Sequence, residues 1–513
     1  MKKEVGRSGA FWVAAGIFLS RIAGLIRERV FAHFFGNSDA GDAFKAALKI
    51  PNFLQNLFGE GVLSASFIPV YAGLMAREEK IESDKVASSI FSLLALFVSF
   101  LVLLGVWATP FLIDLIAPGF HGEKKLLTIH LVQIFFPGTG LLVLSAWCLG
   151  ILNSHHKFFL SYTAPVLWNA AIIFTLIFFG QKHGQFDLAV ITAWGLVFGS
   201  ALQLAVQWPT AIKLVKNFRL HLDLKITHVR EVLRNFFPVV VSRGVVQISA
   251  YIDNLLASLL PTGAVSALAY AQTLYLLPIS LFGMSVSVAE LPQMSRVVGV
   301  SENVFPVLQE RLNAGLKRIA FFIVPSVVGF LILGDVIVAA IFQSGEFTHQ
   351  STLYVWGVLA GSTVGLLAST LGRLYAATFY ALHDTRTPLR FALIRVAITT
   401  VLGYFFALKL PGFFHLNTSW GTAGLTSSAG IAGWIEFLLL RKKLNNRIGK
   451  TGLEKKYMVC LWSAALLAAL LSWGIKIWSG VHPPILLAIF VLFPYGGFYL
   501  LMTRAVGIRT FLK

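Results

Sequence analysis

"FLSRIAGLIRERVFAHFF", Phe18–Phe35, is the stretch on which the reading of this chain turns. It is apolar enough to enter a bilayer, yet it carries Arg21, Arg27, Glu28 and Arg29. An arginine at the middle of a bilayer costs about 2.5–3.5 kcal/mol on insertion scales. A membrane helix that keeps several must draw something from each.

The surrounding sequence places the stretch in a membrane. The chain has 513 residues, is 57% hydrophobic and has a mean hydropathy of +0.76. Charged residues make up 13%, about half the share usual in a soluble protein. Apolar runs of about 20 residues, enough to cross a ~30 Å hydrocarbon core, recur along the whole length. The ten-residue alternation of a transmembrane barrel is absent from the sequence. The expected fold is all-α, a polytopic protein with about fourteen spans, from 9–35 and 42–75 through to 457–478 and 484–503. The basic start followed by an apolar run reads as a retained first helix, because the run continues past Arg21 without a small-residue cleavage site. The connections 213–234 and 296–318 read as interfacial helices.

The net charge of +19 does not point to nucleic acid. Lysine and arginine concentrate in alternate short connections, which is topology information. Lys124, Lys125, Lys182 and Lys409 fall on the opposite, outer side. Both termini are therefore expected in the cytoplasm. Cys148 and Cys460 lie in apolar segments and suggest no disulfide framework.

An internal echo suggests two halves. "GILNSHHKFFLSYTAPVLWNAAIIF" leads into the fifth span and "TFYALHDTRTPLRFALIRVAI" into the eleventh. Each has a polar-basic turn, then a small or polar residue with proline, then an apolar helix. A separation of six spans implies an axis along the membrane normal. The expected organisation is a six-helix lobe at 1–212, a second at 213–440, and two extra helices at 441–513.

Enzyme signatures are scarce. "IGKTG" at 448–452 resembles the end of a phosphate loop, but the glycine that motif needs is Leu444. His155 and His156 share a turn without further ligands at metal spacing. No cofactor is implied. Ionisable residues inside spans are more informative, since such groups usually face a cavity and mark a substrate path. Arg21 and Arg27 are six residues apart, about 120° around a helix. In "GDAFKAALKIPNFLQNLFGEGVLSASFIPVY" the second span holds Asp42, Lys49, Gln55 and Glu60, and Gly59, Gly61, Pro51 and Pro69 would break it. Arg243 and Arg373 are expected to line the second half of a cavity, whereas Arg395 sits near a cytoplasmic end and snorkels. Asp253, in "AYIDNLL", fits either a cation-coupling carboxylate or a structural hydrogen-bonded aspartate. A cavity walled by arginines suits an anionic, phosphorylated cargo, because guanidinium pairs with phosphate through forked hydrogen bonds.

The segments "SRIAGLIRE", "DAFKAALKIPNFLQNLFGEGVLSASFIPVY", "APGF", "LPQMSR" and "FYALHDTRTP" resemble the MurJ (MviN) lipid II flippases of the multidrug/oligosaccharidyl-lipid/polysaccharide exporter superfamily. The resemblance spans essentially the whole chain. It implies two lobes around a cationic cavity, with the last two helices forming a groove for a polyprenyl tail. It implies transfer of lipid-linked peptidoglycan precursor (lipid II) from the inner to the outer leaflet by alternating access. The implied partners are that lipid, membrane lipids and cell-wall synthesis enzymes, with no nucleic acid. Arg21 and Arg27 match the family's arginine pair, and Asp42 and Glu60 its acidic residues. Two positions depart: Gln55 and Thr273 stand where the family commonly has arginine. That leaves open a flippase for another polyprenyl-diphosphate glycan. A membrane glycosyltransferase would want a catalytic carboxylate in a sizeable outer loop, and the outer loops are short.

Overall fold

The structure, a computed structural model, describes the backbone of residues 2–300 and 304–508 and, within these, side chains other than those of residues 2–14, 60, 237, 241–250 and 299–300. It is helical almost throughout. Contacts divide the chain into two compact units, Met1–Ser258 and Leu259–Lys513.

The first unit holds α1 (Lys2–Phe35), α2 (Asp39–Ala47), α3 (Lys49–Phe58), α4 (Glu60–Ala76), α5 (Lys80–Ile116), α6 (Gly122–Ser154), α7 (Phe158–Phe179), α8 (Gln185–Leu214) and α9 (Thr227–Ser258). The second holds α10 (Ala264–Pro278), α11 (Ser285–Val300), α12 (Val304–Ile332), α13 (Gly334–Phe342), α14 (His349–Thr363), α15 (Leu366–Ala381), α16 (Arg386–Tyr404), α17 (Leu410–Phe413), α18 (Gly421–Ile448), α19 (Lys455–Trp478) and α20 (Pro484–Ala505). A π-helical segment, Ile279–Met284, joins α10 to α11.

Among the described residues eleven helical segments are long and apolar enough to cross a membrane, or twelve when the bent pair α14–α15 counts as one span. The sequence expectation of fourteen exceeds this by three or two. The further long helices are α1 and α9, of 34 and 32 residues. The surface has the polarity of a bilayer-embedded protein. On α5, Leu103, Trp107 and Phe111 are 72%, 80% and 70% exposed, while Val98, Gly105, Thr109 and Ile113 of the same helix are buried. In water such an apolar outer face would drive association; in lipid it is the solvated face.

Proline within helices explains several contacts. Pro325 has no N–H, so the Phe321 carbonyl of α12 lacks its usual i+4 donor. The Tyr499 hydroxyl of α20 supplies that donor at 2.6 Å, and Tyr495 donates to the Pro325 carbonyl at 2.6 Å. The last helix is thereby fastened to α12 through backbone groups that hydrocarbon cannot satisfy. At the α14–α15 bend of 42°, the indole N–H of Trp434 donates to the Val364 carbonyl at 2.8 Å.

The 213–234 connection departs from expectation. No interfacial helix spans it: residues 215–226 are non-helical and α9 begins only at Thr227. The segment is strapped along α5. Backbone N–H groups of Asn217, Arg219 and His221 donate to Asp84, Ser88 and Ser92 at 3.1, 3.3 and 3.2 Å. Alternate residues face the helix, as in any extended chain. Between them the ring of Phe218 packs into a cluster with Phe91 of α5, Trp147 and Trp208. Partners supplied by another element make the extended conformation satisfy its own backbone, and a helix loses its advantage. The second expected interfacial helix, within 296–318, is likewise not a separate element: α11 runs on to Val300 and α12 begins at Val304.

Candidate functional site

The site is built where α1 lies against α7. Gly16 lets the two helices approach; a Cβ there would sit 2.6 Å from the Cβ of Tyr162. Two turns beyond Arg27 the same happens in reverse, with Gly180 admitting the ring of Phe34. The offset is 146 residues at both contacts, so the helices run parallel and in register between them. In that register Arg27 is level with residue 173. Side chains on a helix lean toward its N-terminus, and five residues span about 7.5 Å, the reach of an arginine. The guanidinium accordingly lands on the indole of Trp168, with Cζ 4.9 Å from the ring centroid.

Arg27 also donates to Glu28 Oε1 at 2.7 Å. Glu28 Oε2 accepts from Lys45 of α2, whose ammonium sits 4.2 Å above the centroid of Phe31. The three side chains are 22%, 12% and 8% exposed. One carboxylate thus holds two cations, and the cluster keeps a net positive charge. A buried cation survives only with a partner, and an anion entering here would find two cations already assembled. Arg21, six residues earlier, is exposed, and Arg29 is half-buried.

The second span is broken twice, at Leu48 ahead of Pro51 and at Gly59, whereas α4 runs unbroken through Gly61 and Pro69, two positions expected to interrupt it. Ser38 caps α2 through the Gly41 N–H at 3.2 Å, and α2 ends at Ala47 with Leu48 as its C-cap, before Pro51. Gly59 separates α3 from α4; a Cβ there would collide with the Gln55 carbonyl oxygen, which accepts the Gly59 N–H at 2.7 Å. The break at Leu48 is tied to α9: Tyr251 donates to the Lys49 carbonyl at 2.6 Å and meets Phe53 edge-on at 5.2 Å. Lys49 and Asp253 interact electrostatically across this junction. The structure therefore brings together two residues that sequence put in separate roles. Beside them lies an apolar cavity of about 480 Å³, walled by Ile50, Phe53, Leu54, Leu104 and Leu255.

Asp42 is placed elsewhere. It is 1% exposed and accepts from Lys124 at 2.8 Å, while the same lysine reaches Asp39 at 2.9 Å. Gln55 is half-buried on α3, and the side chains of Glu60 and Arg243 lie outside the described residues. In the second unit Arg373 is exposed on α15 and interacts electrostatically with Tyr275 and Glu436. Arg395 is fixed to Glu436 at 3.1 Å and does not merely snorkel. The Thr273 hydroxyl turns back to its own helix, donating to the Ala269 carbonyl at 3.0 Å.

Sequence reasoning missed Glu28 as the hub, Lys45 as the second cation, Trp168 as the platform and Lys124 as a counter-ion. Glu28 and Lys45 were visible as charges inside apolar runs. Trp168 gave no signal, since a tryptophan in a membrane helix is unremarkable without knowing what lies over it.

A chain whose described residues are mostly helical, with eleven or twelve helices able to cross a membrane and a largely buried cationic cluster joining α1 to α2, has the build of a membrane transporter. The chain belongs to the lipid II flippase MurJ family, whose model matches residues 31–493. It is similar to a probable lipid II flippase MurJ of Rickettsia prowazekii, 31% identical over 463 residues and 88% of each chain. It is also similar to the lipid II flippase MurJ of Burkholderia cenocepacia, 29% identical over 90% of this chain and 88% of that one. A solved lipid II flippase MurJ in an inward closed conformation superposes with a TM-score of 0.76 at 28% identity, covering 97% and 99% of the two chains. An inward-facing multidrug resistance MATE family transporter of the MOP superfamily shares the fold, with a TM-score of 0.67 at 18% identity over 82% of this chain and 95% of that one.

Proposed function

We propose that this chain is a flippase that carries lipid II from the inner to the outer leaflet of the bacterial cytoplasmic membrane by alternating access. The observation that carries the reading is the Arg27–Glu28–Lys45 cluster inside the spans of a chain of this family. In the reading, Arg27 and Lys45 meet the diphosphate, with Arg21 and Lys49 as further cations of the first unit and Arg243 and Arg373 as additional ligands. Asp42 and Glu60 shape the second span, and Gln55 takes the place of a family arginine. Asp253 couples transport to a cation, in competition with the charge of Lys49. The helices α1 and α9 complete fourteen spans, grouped as two six-helix lobes with α19 and α20 as an addition, and both termini face the cytoplasm. Cell-wall synthesis enzymes are the natural partners, because they consume the translocated lipid.

The test is complementation. In cells depleted of their own flippase, the wild-type chain restores growth and prevents accumulation of lipid II. Arg27→Ala, inserted and abundant, restores neither. Growth at the wild-type rate would remove Arg27 from the mechanism. Gln55 and Thr273 favour a second reading, a flippase for another polyprenyl-diphosphate glycan, because two expected positive charges are missing. In that case depletion of the chain from its own host would accumulate a different lipid-linked glycan and spare lipid II.

A further inference from the structure

The motif "APVLWN", Ala164–Asn169, is not absorbed by the cationic cluster alone. Pro165 leaves the Ser161 carbonyl of α7 without its i+4 donor. Asn169 is 4% exposed and spends its amide on the Pro165 carbonyl at 2.9 Å, so this turn is held by its own side chain. Gly199 of α8 lets the turn pack closely, since a Cβ there would stand 3.0 Å from the Trp168 carbonyl oxygen. The backbone that carries the indole is therefore held close against α8. The face of the indole carries the Arg27 guanidinium. Its Nε1–H is buried and meets no acceptor among the described residues.

We infer that Trp168 is a substrate-binding and positioning residue: its face aims the Arg27 guanidinium, and its indole N–H is a neutral donor to the same anionic group. The inference rests on the proposed diphosphate cargo. A buried donor without an acceptor is unfavourable, so a state that brings an acceptor beside Trp168 is favoured over this one. A phosphate oxygen drawn to Arg27 is such an acceptor, because the guanidinium and the indole are in contact. A neutral donor also suits a chain that lacks cations at Gln55 and Thr273. It strengthens anion binding without adding another charge that must be desolvated in the empty transporter.

Two substitutions separate the two roles. Trp168→Phe keeps an aromatic face and removes the N–H; Trp168→Leu removes both. The probes are polyprenyl diphosphate, which carries the anion shared by all such lipids, and lipid II itself, each bound to the full chain in nanodiscs. Trp168→Phe is expected to weaken polyprenyl diphosphate about tenfold, and Trp168→Leu further, with the unliganded protein at least as thermally stable in Trp168→Phe as in wild type. In an Arg27→Ala background the Trp168→Phe loss shrinks, because the anion is no longer drawn there. Wild-type affinity in Trp168→Phe overturns the donor role. Wild-type affinity in Trp168→Leu overturns both roles, and lowered stability at unchanged affinity shows a packing role only. If polyprenyl diphosphate responds as expected and lipid II does not bind the wild-type chain, the cargo reading fails while the role of Trp168 stands.

Discussion

Lys124 Nζ lies 2.8 Å from Asp42 Oδ2, tying the start of α6 to the first helix of the broken second span. The lysine stands in the first turn of α6 with its side chain 14% exposed, and its charge is used inside the protein rather than in water. With Asp42 1% exposed, removing Lys124 takes an ion-pair partner from a buried carboxylate. Breaking a buried pair from one side costs about 3–5 kcal/mol. Lys124→Ala should therefore lower the thermal midpoint in detergent markedly. Lys124→Ala with Asp42→Asn should recover most of the loss. A single variant as stable as wild type would show that Asp42 finds another cation.

The break at Gly59 makes a steric prediction. Alanine there puts its methyl group against the Gln55 carbonyl oxygen, so the last turn of α3 must unwind or swing away. Gly59→Ala is expected to reduce complementation at least tenfold while the protein remains abundant in the membrane. Full complementation would mean that the α3–α4 junction is not held as described.

Two tyrosines on one helix should differ. Tyr499→Phe strands the Phe321 carbonyl, which Pro325 has already deprived of its helical donor. Tyr495→Phe removes the hydroxyl from the Pro325 carbonyl, a position not emptied by a proline. An unsatisfied buried group costs about 1–3 kcal/mol, a replaceable hydrogen bond about 0.5–1.5. Thermal unfolding in detergent should rank Tyr499→Phe as the more damaging; the reverse order would contradict the proline argument.

His155 gives the chain an acid sensitivity. It sits in the turn after α6, with Nε2 3.1 Å from the Tyr71 hydroxyl. Burial lowers its pKa below the ordinary 6.5, and His156 and Lys157 push the same way against an opposing pull from Asp84. The folded state then binds fewer protons than the unfolded state just below pH 6.5, so stability falls as pH drops through that value and is unaffected above it. Unfolding midpoints measured from pH 7.5 to 5 should show a fall that His155→Gln reduces. An identical pH profile in both proteins would remove His155 as the cause.

What could be read from sequence follows the range of the forces involved. Spans were legible because hydropathy over about 20 residues is a property of one segment. The breaks at Leu48 and Gly59 were legible because proline and glycine act on their own backbone. The companion of Arg27 was not, because Trp168 is 141 residues away and is brought beside it by the register of two helices. Asp42 shows the same limit: its place in a family motif was legible, but its pairing with Lys124, 82 residues on, was not, because that lysine carried only a topology signal. The helix expected after α8 failed for a related reason: its N–H groups find partners on α5, and no property of residues 215–226 alone announces them.

The strap along α5 works as a vernier. Each rung advances two residues on an extended chain, about 6.6 Å, against four residues of helix, about 6.0 Å. The scales slip by about 0.6 Å per rung. Over the rungs at Asn217, Arg219 and His221 the slip is small enough for side chains to absorb, and with each further rung it grows. The device therefore measures out its own length. It fixes how much chain separates the end of α8 from the start of α9, and a residue inserted or deleted between Asn217 and His221 should put every later rung on the wrong face.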